Sequence, residues 1–313
     1  MAMSPDRVAL KALREALEAL LRASEGANPA TVRRIRDGLA EHARALEAAR
    51  SASDPIRMPR ASFDPSDPKT VGRMVSIALI SQPPVPLASV PSAYGSGVYA
   101  IYYRGDHPLY ATISGTETPI YVGKADPQNP DASDSREQGS KLTARLQEHA
   151  NTIAVSEAYA AEGRLAAGLH PIKLADFWCR RLVCATNAQL VAEKHLIRMF
   201  WPVWNSETKA CWGMAKHGDA ATTRRNKRSP WHVVHPGKPS DLAETLVDAL
   251  SPAEIAQRIT ATADRVPRRT NHAELLEEML MAFRQDDGAI AADDDEPPVG
   301  ADAPGPDPDE MDD

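Results

Sequence analysis

The stretch GVYAIYY at Gly97–Tyr103 and its follower PIYVGKA at Pro119–Ala125 decide how this chain is read. Each alternates apolar and small residues with the two-residue period of a strand. A turn-rich connection separates them, and the RGD at Arg104–Asp106 within it reads as a turn. Tyrosine is an ordinary strand residue. Glycine is not, because it weakens a strand and marks a place where something comes close. Two short strands that each combine Tyr with Gly therefore raise the question of whether either phenol is there for chemistry.

Outward from these strands, Phe177–Cys184 is a third strand candidate. Helical spacing covers Lys69–Ile80, Ser140 to Val155 or beyond, and a segment capped by Thr186 or Asn187 that reaches Phe200. Residues 5–24 and 29–50 have apolar faces at helical period, with Leu10, Leu13, Leu17, Leu20 and Leu21 on one and Val32, Ile35, Leu39 and Leu46 on the other. The stop at Glu25–Pro29 between them predicts a helical hairpin suited to packing or dimerisation. The expected organisation is a hairpin over 1–50, a linker and short helix over 51–96, a core over 97–238, helices over 239–285, and a tail over 286–313. The mixture of few strands with many helices is α+β.

Average apolar and charged content describes a soluble protein, and no run approaches the ~18 apolar residues of a membrane span. No leader-like apolar region follows Met1, so a cytoplasmic protein is expected. Cys179, Cys184 and Cys211 lack zinc-ligand spacing and read as buried thiols. The net charge of −7 is an average of opposites. Twelve acids and no Lys or Arg lie in Asp286–Asp313, leaving residues 1–285 at +5. That tail is too poor in large apolar residues to fold, and the mildly basic remainder permits nucleic-acid binding.

Four groups bring polar chemistry near these elements. Arg145 and His149 are four apart in KLTARLQEH, on one helical face beside Leu142 and Leu146, either as surface residues or facing a ligand. Glu193 shares a face with Leu190 and Ile197 in QLVAEKHLIRMF, where a carboxylate needs a salt bridge, for instance to Arg145, or a divalent metal. WPVWN follows, with Trp201 and Trp204 read as core aromatics and Asn205 as a hydrogen-bonding group after them. Lys209–Lys238 has seven Lys or Arg against Asp219 alone, with His217, His232 and His235 besides. A solvated loop, a nuclear-localisation signal and a DNA contact all fit that composition.

The order of these residues resembles the catalytic domain of the GIY-YIG nucleases over Gly97–Asn205. GVY at Gly97–Tyr99 stands for the first signature and YVG at Tyr121–Gly123 for the second, each with valine for isoleucine. Arg145, Glu193 and Asn205 fill the places of the helix arginine, the metal-binding glutamate and the late asparagine. PIYVGKADP, the Arg145–His149 pair and KHG…TRRNKRSPWHVVHPG resemble the type II restriction endonuclease branch. The resemblance implies a small antiparallel three-stranded sheet flanked by helices, to which this chain adds the hairpin and the C-terminal helices. It further implies a homodimer cutting double-stranded DNA at a GC-rich palindrome, CCGCGG, beside a companion DNA methyltransferase acting on the same site.

By the same resemblance Glu193 holds Mg²⁺, for which Mn²⁺ can substitute, and Arg145 binds the scissile phosphate. Tyr99 takes the proton of the attacking water, helped by positive charge from the metal, Lys124 or Arg145, and His149 accepts or relays the phenol's proton. Tyr121 positions water or phosphate, and Asn205 anchors the metal shell or the strand. Beside such a site, Lys216, Arg224, Arg225, Lys227 and Arg228 are expected to contact DNA. The competing readings are a nonspecific, repair or mobile-element nuclease of the same superfamily and a noncatalytic DNA-binding module.

Overall fold

The computed structural model describes residues 4–53, 63–185, 187–214, 227–239 and 246–284. Thr186, Lys216, His217, Arg224, Arg225, most of the linker and the acidic tail lie outside the described residues. The chain divides into two units, 1–62 and 63–313.

The first unit is a pair of helices, α1 (Pro5–Ser24) and α2 (Pro29–Ser53). Pro5 opens α1 where a missing N–H costs nothing. Gly26, at φ +69°, makes the turn, and Asn28 Oδ1 accepts from the Thr31 N–H at 2.9 Å to start α2. Neither helix buries a residue.

The second unit is built on a sheet in the order β1 (Val85–Pro86), β4 (Phe177–Val183), β2 (Gly97–Tyr103), β3 (Tyr121–Ala125). Every neighbouring pair is antiparallel. The three predicted strands form its body. The two-residue β1 comes from the proline-rich approach, which periodicity is too short to reveal. Residue Tyr99 stands between Gly123 on one side and Arg181 on the other, so odd-numbered β2 positions share a face with both.

That register sorts the side chains into two cores. Tyr99, Ile101, Tyr103, Phe177 and Cys179 meet Leu142, Leu146 and Ile153 of α4 (Lys141–Ala161). Val98, Ala100, Tyr102 and Val122 meet α3 (Pro68–Ile80) and α5 (Ala188–Phe200) on the opposite face. Full burial of each large apolar side chain stabilises by about 1.5–3 kcal/mol. Helix α3, expected only as a short element before the sheet, thus belongs to its second layer through Leu79 and Ile80.

Downstream come α6 (Pro230–Val234), a two-residue parallel pair β5 (Lys227–Arg228) and β6 (Val247–Asp248), then α7 (Pro252–Ala263) and α8 (His272–Met281). A capping box between Ser251 and Glu254 starts α7. Leu275 and Met279 of α8 complete the second core, and Glu117 joins β4 to α8, accepting from Arg180 at 2.8 Å and meeting His272 Nδ1 at 3.2 Å. All three cysteines are buried free thiols, as expected.

Candidate active site

Tyr99 lies wholly inside, pointing from β2 across β3 towards α4. Its hydroxyl meets His149 Nε2 at 2.6 Å, and His149 is itself buried. The glycine of the second signature explains how the phenol gets there. A Cβ at Gly123 would stand 2.5 Å from the Tyr99 hydroxyl, so only glycine lets the ring pass over β3. Tyr121 flanks both groups, its ring 6.1 Å from Tyr99 and 5.1 Å from His149. Burial, then the neighbouring Tyr121, pushes the Tyr99 phenol well above its ordinary value, and the pull of Arg145 in the other direction does not offset them. Burial at this position thus opposes ionisation of the phenol.

Arg145, one turn before His149, is half-exposed and donates to Glu148 Oε2 at 2.8 Å. Glu148 thus takes the place that a salt bridge to Glu193 would have filled. The i,i+3 spacing of this pair was available in the sequence. Upstream, Thr143 holds the start of α4, accepting from Arg181 at 3.1 Å and exchanging bonds with the Ala93 backbone.

Glu193 comes from the other side of the sheet. The buried face of α5 carries Gln189, Ala192, Leu196, Ile197 and Phe200, while Leu190 is exposed. Glu193 lies on that face, as expected, half-buried one turn before Ile197, where its carboxylate reaches the Lys124 backbone at the polar end of β3. Burial raises its pKa to about 7; Lys124 opposes the shift, while Glu207 and Asp126 add to it. Lys124 alternates onto this same face, paired with Asp126, which also accepts from Gln189 Nε2 at 3.4 Å. Lys124 is thus a partner of the carboxylate group and not of Tyr99. Gln189 and Glu207 carried no periodic or motif signal, and Asp126 entered only as part of PIYVGKADP.

The two faces meet at β3, the edge strand, where Tyr121 feels both Arg145 and Glu193. Asn205 keeps that strand in place. Its Oδ1 accepts from the Val122 N–H and its Nδ2 donates to the Val122 carbonyl, both at 2.9 Å. Asn205 is therefore an anchor of the strand, one of the two roles left open for it.

The basic segment divides. Lys227 is exposed, but Arg228 donates to Asp248 at 2.7 Å. His232 and His235, grouped with the basic residues on composition, are buried with Trp231 in α6 and just after it. His235 Nε2 stands 2.6 Å from the Tyr110 hydroxyl, which also accepts from Trp204 Nε1 at 2.9 Å. Trp204 is core, as expected, and Trp201 is partly buried in a left-handed C-cap.

A small antiparallel sheet whose tyrosines, arginine, histidine and glutamate converge on one edge strand defines a nuclease domain of the GIY-YIG class, acting on DNA. The family model described as "Eco29kI GIY-YIG domain" matches residues 92–263, more than half of the chain, and the chain belongs to that family. A search of curated proteins finds no match. Among the described residues, no helix is long and apolar enough to cross a membrane.

Proposed function

We propose that the protein is a Mg²⁺-dependent type II restriction endonuclease that cuts double-stranded DNA at a GC-rich palindrome, with CCGCGG the expected site. The observation that carries this reading is the meeting, at one strand edge, of the hydrogen-bonded Tyr99–His149 pair with Tyr121, Arg145 and Glu193. A DNA-binding module has no use for the complete set. Cutting both strands of a palindrome calls for two copies, and a companion methyltransferase would protect the cell's own sites in the cytoplasm.

The donor chemistry fits a hard cation. Glu193 is a half-buried carboxylate whose proton affinity is raised by burial and by two neighbouring acids. Among the described residues no group of three or more His, Cys, Asp or Glu side chains is disposed to hold a metal. A single carboxylate completed by waters and substrate phosphate is a familiar Mg²⁺ arrangement. Glu193 would hold the ion, Mn²⁺ could replace it, and the bound metal would supply charge for the departing oxygen.

The chain's own residues do the rest. Tyr99, held neutral, accepts the proton of the attacking water as its own proton passes to His149 Nε2. The hydroxide then bonds to phosphorus while the ester oxygen leaves. Arg145 exchanges Glu148 for the scissile phosphate, where its planar fork donates two hydrogen bonds. Tyr121 orients water or phosphate. Lys227 contributes sequence-independent attraction to the backbone, with Lys216, Arg224 and Arg225 assigned the same role from composition.

The test is incubation with phage DNA and Mg²⁺, followed by sequencing of the ends. Discrete fragments with one common end sequence support the restriction reading. A smear replaces it with a nonspecific nuclease, and intact DNA removes catalysis.

A further inference from the structure

Helix α1 carries two apolar stripes, each at alternating three- and four-residue spacing. Leu10, Leu13, Leu17 and Leu20 form one; Ala9, Ala12, Ala16, Ala19 and Ala23 form the other beside it. This is the spacing of helices that pack along their whole length. The hairpin leaves the first stripe open, with its leucines 38–66% exposed. On α2 only Thr31, Ile35, Gly38 and Leu39 are partly covered, while Val32 and Leu46 stay exposed.

Two considerations identify what covers this face. The first is area. Five leucines on this side of α1, Leu10, Leu13, Leu17, Leu20 and Leu21, are exposed by roughly half. At ~100 Å² each when fully buried, their exposed halves amount to about 250 Å² before the alanines and flanking charged stems are added, against the ~800 Å² per partner of a stable interface. A single hairpin of this kind has too little buried surface to hold its helices, which gain stability mainly by packing an amphipathic face.

The second consideration is charge order. Arg7, Lys11 and Arg14 outnumber Asp6 in the first half of α1, whereas Glu15, Glu18 and Glu25 outnumber Arg22 at and beyond its second half. An occupant must present the reverse order along the same spacing. The same helix turned end for end does so, and it also opposes the two helix dipoles. A two-fold axis between Leu13 and Leu17 makes the contact self-complementary.

We propose that α1 is a self-association surface on which the α1 of a second copy of this chain packs antiparallel, leucine stripe to leucine stripe. The surface is argued from the hairpin alone. It gives the two-copy expectation of the restriction reading a location, and its test reads mass rather than cleavage, so either can fail without the other.

Sedimentation of the full chain at micromolar concentration is expected to give twice the chain mass. Leu13→Glu/Leu17→Glu is expected to give one chain mass, with circular dichroism losing no more helix than the hairpin itself contributes. Lys11→Glu/Arg14→Glu alone and Glu15→Lys/Glu18→Lys alone are each expected to sediment as single chains, and their equimolar mixture to regain the doubled mass. The proposal is overturned by a wild-type chain of single mass, by a leucine variant that keeps the doubled mass, or by a mixture that stays single.

Discussion

Tyr99 is buried yet hydrogen-bonded to an imidazole, and these two facts together set its chemistry. Burial opposes a phenolate, so proton acceptance at Tyr99 is coupled to proton release towards His149. Groups that act as a unit lose activity together. Tyr99→Phe and His149→Ala should each lower single-turnover cleavage by about 10²–10⁴-fold, and the double variant by little more than either. Independent, multiplying losses would show that the pair does not share one proton path. At Glu193 the expected signature differs. Glu193→Gln should abolish cleavage while gel-shift affinity for DNA persists; cutting at the wild-type rate would remove Glu193 as the metal ligand.

At the scale of elements, the Asn205 amide holds the outer side of β3 at Val122. Asn205→Ala leaves the Val122 N–H and C=O without their partners, which should cost about 1–3 kcal/mol of stability in urea unfolding. Cleavage should fall further than stability predicts, because Tyr121 and Gly123 flank Val122. The strands, α4 and the hairpin were legible because each shows a period over several turns or alternations. The reason for glycine at 123 was not, since it depends on where a side chain from another strand lands. Nor was the exposure of Leu190: Ile197 is buried on the face it shares with Glu193, whereas Leu190, at the margin of that face, is not covered. Composition misplaced His232 and His235 for a related reason, because a charge count cannot see that WHVVH is a buried turn of helix.

For the whole molecule, His235 ties stability to pH. Burial first, then His107 and His232, depress its pKa well below the ordinary imidazole value. Trp204 can only donate to the Tyr110 oxygen, which leaves the Tyr110 proton for a neutral His235 nitrogen. The unfolded chain takes up a proton below pH ~6.5 while the folded chain resists it, so stability should fall on acidification by up to about 1.4 kcal/mol per pH unit. His235→Gln should be less stable than wild type at pH 8, and the gap should narrow at pH 5.5; thermal melts at both values check the sign. The amide of Asn205 has one more consequence. By occupying both backbone groups of Val122 it imitates a neighbouring strand, and the opposite margin of the sheet ends in β1, two residues long and closed by Pro86. Strand addition is thus discouraged at both margins, which guards a catalytic sheet against edge-to-edge aggregation and leaves helical surfaces as the routes by which copies of the chain can meet.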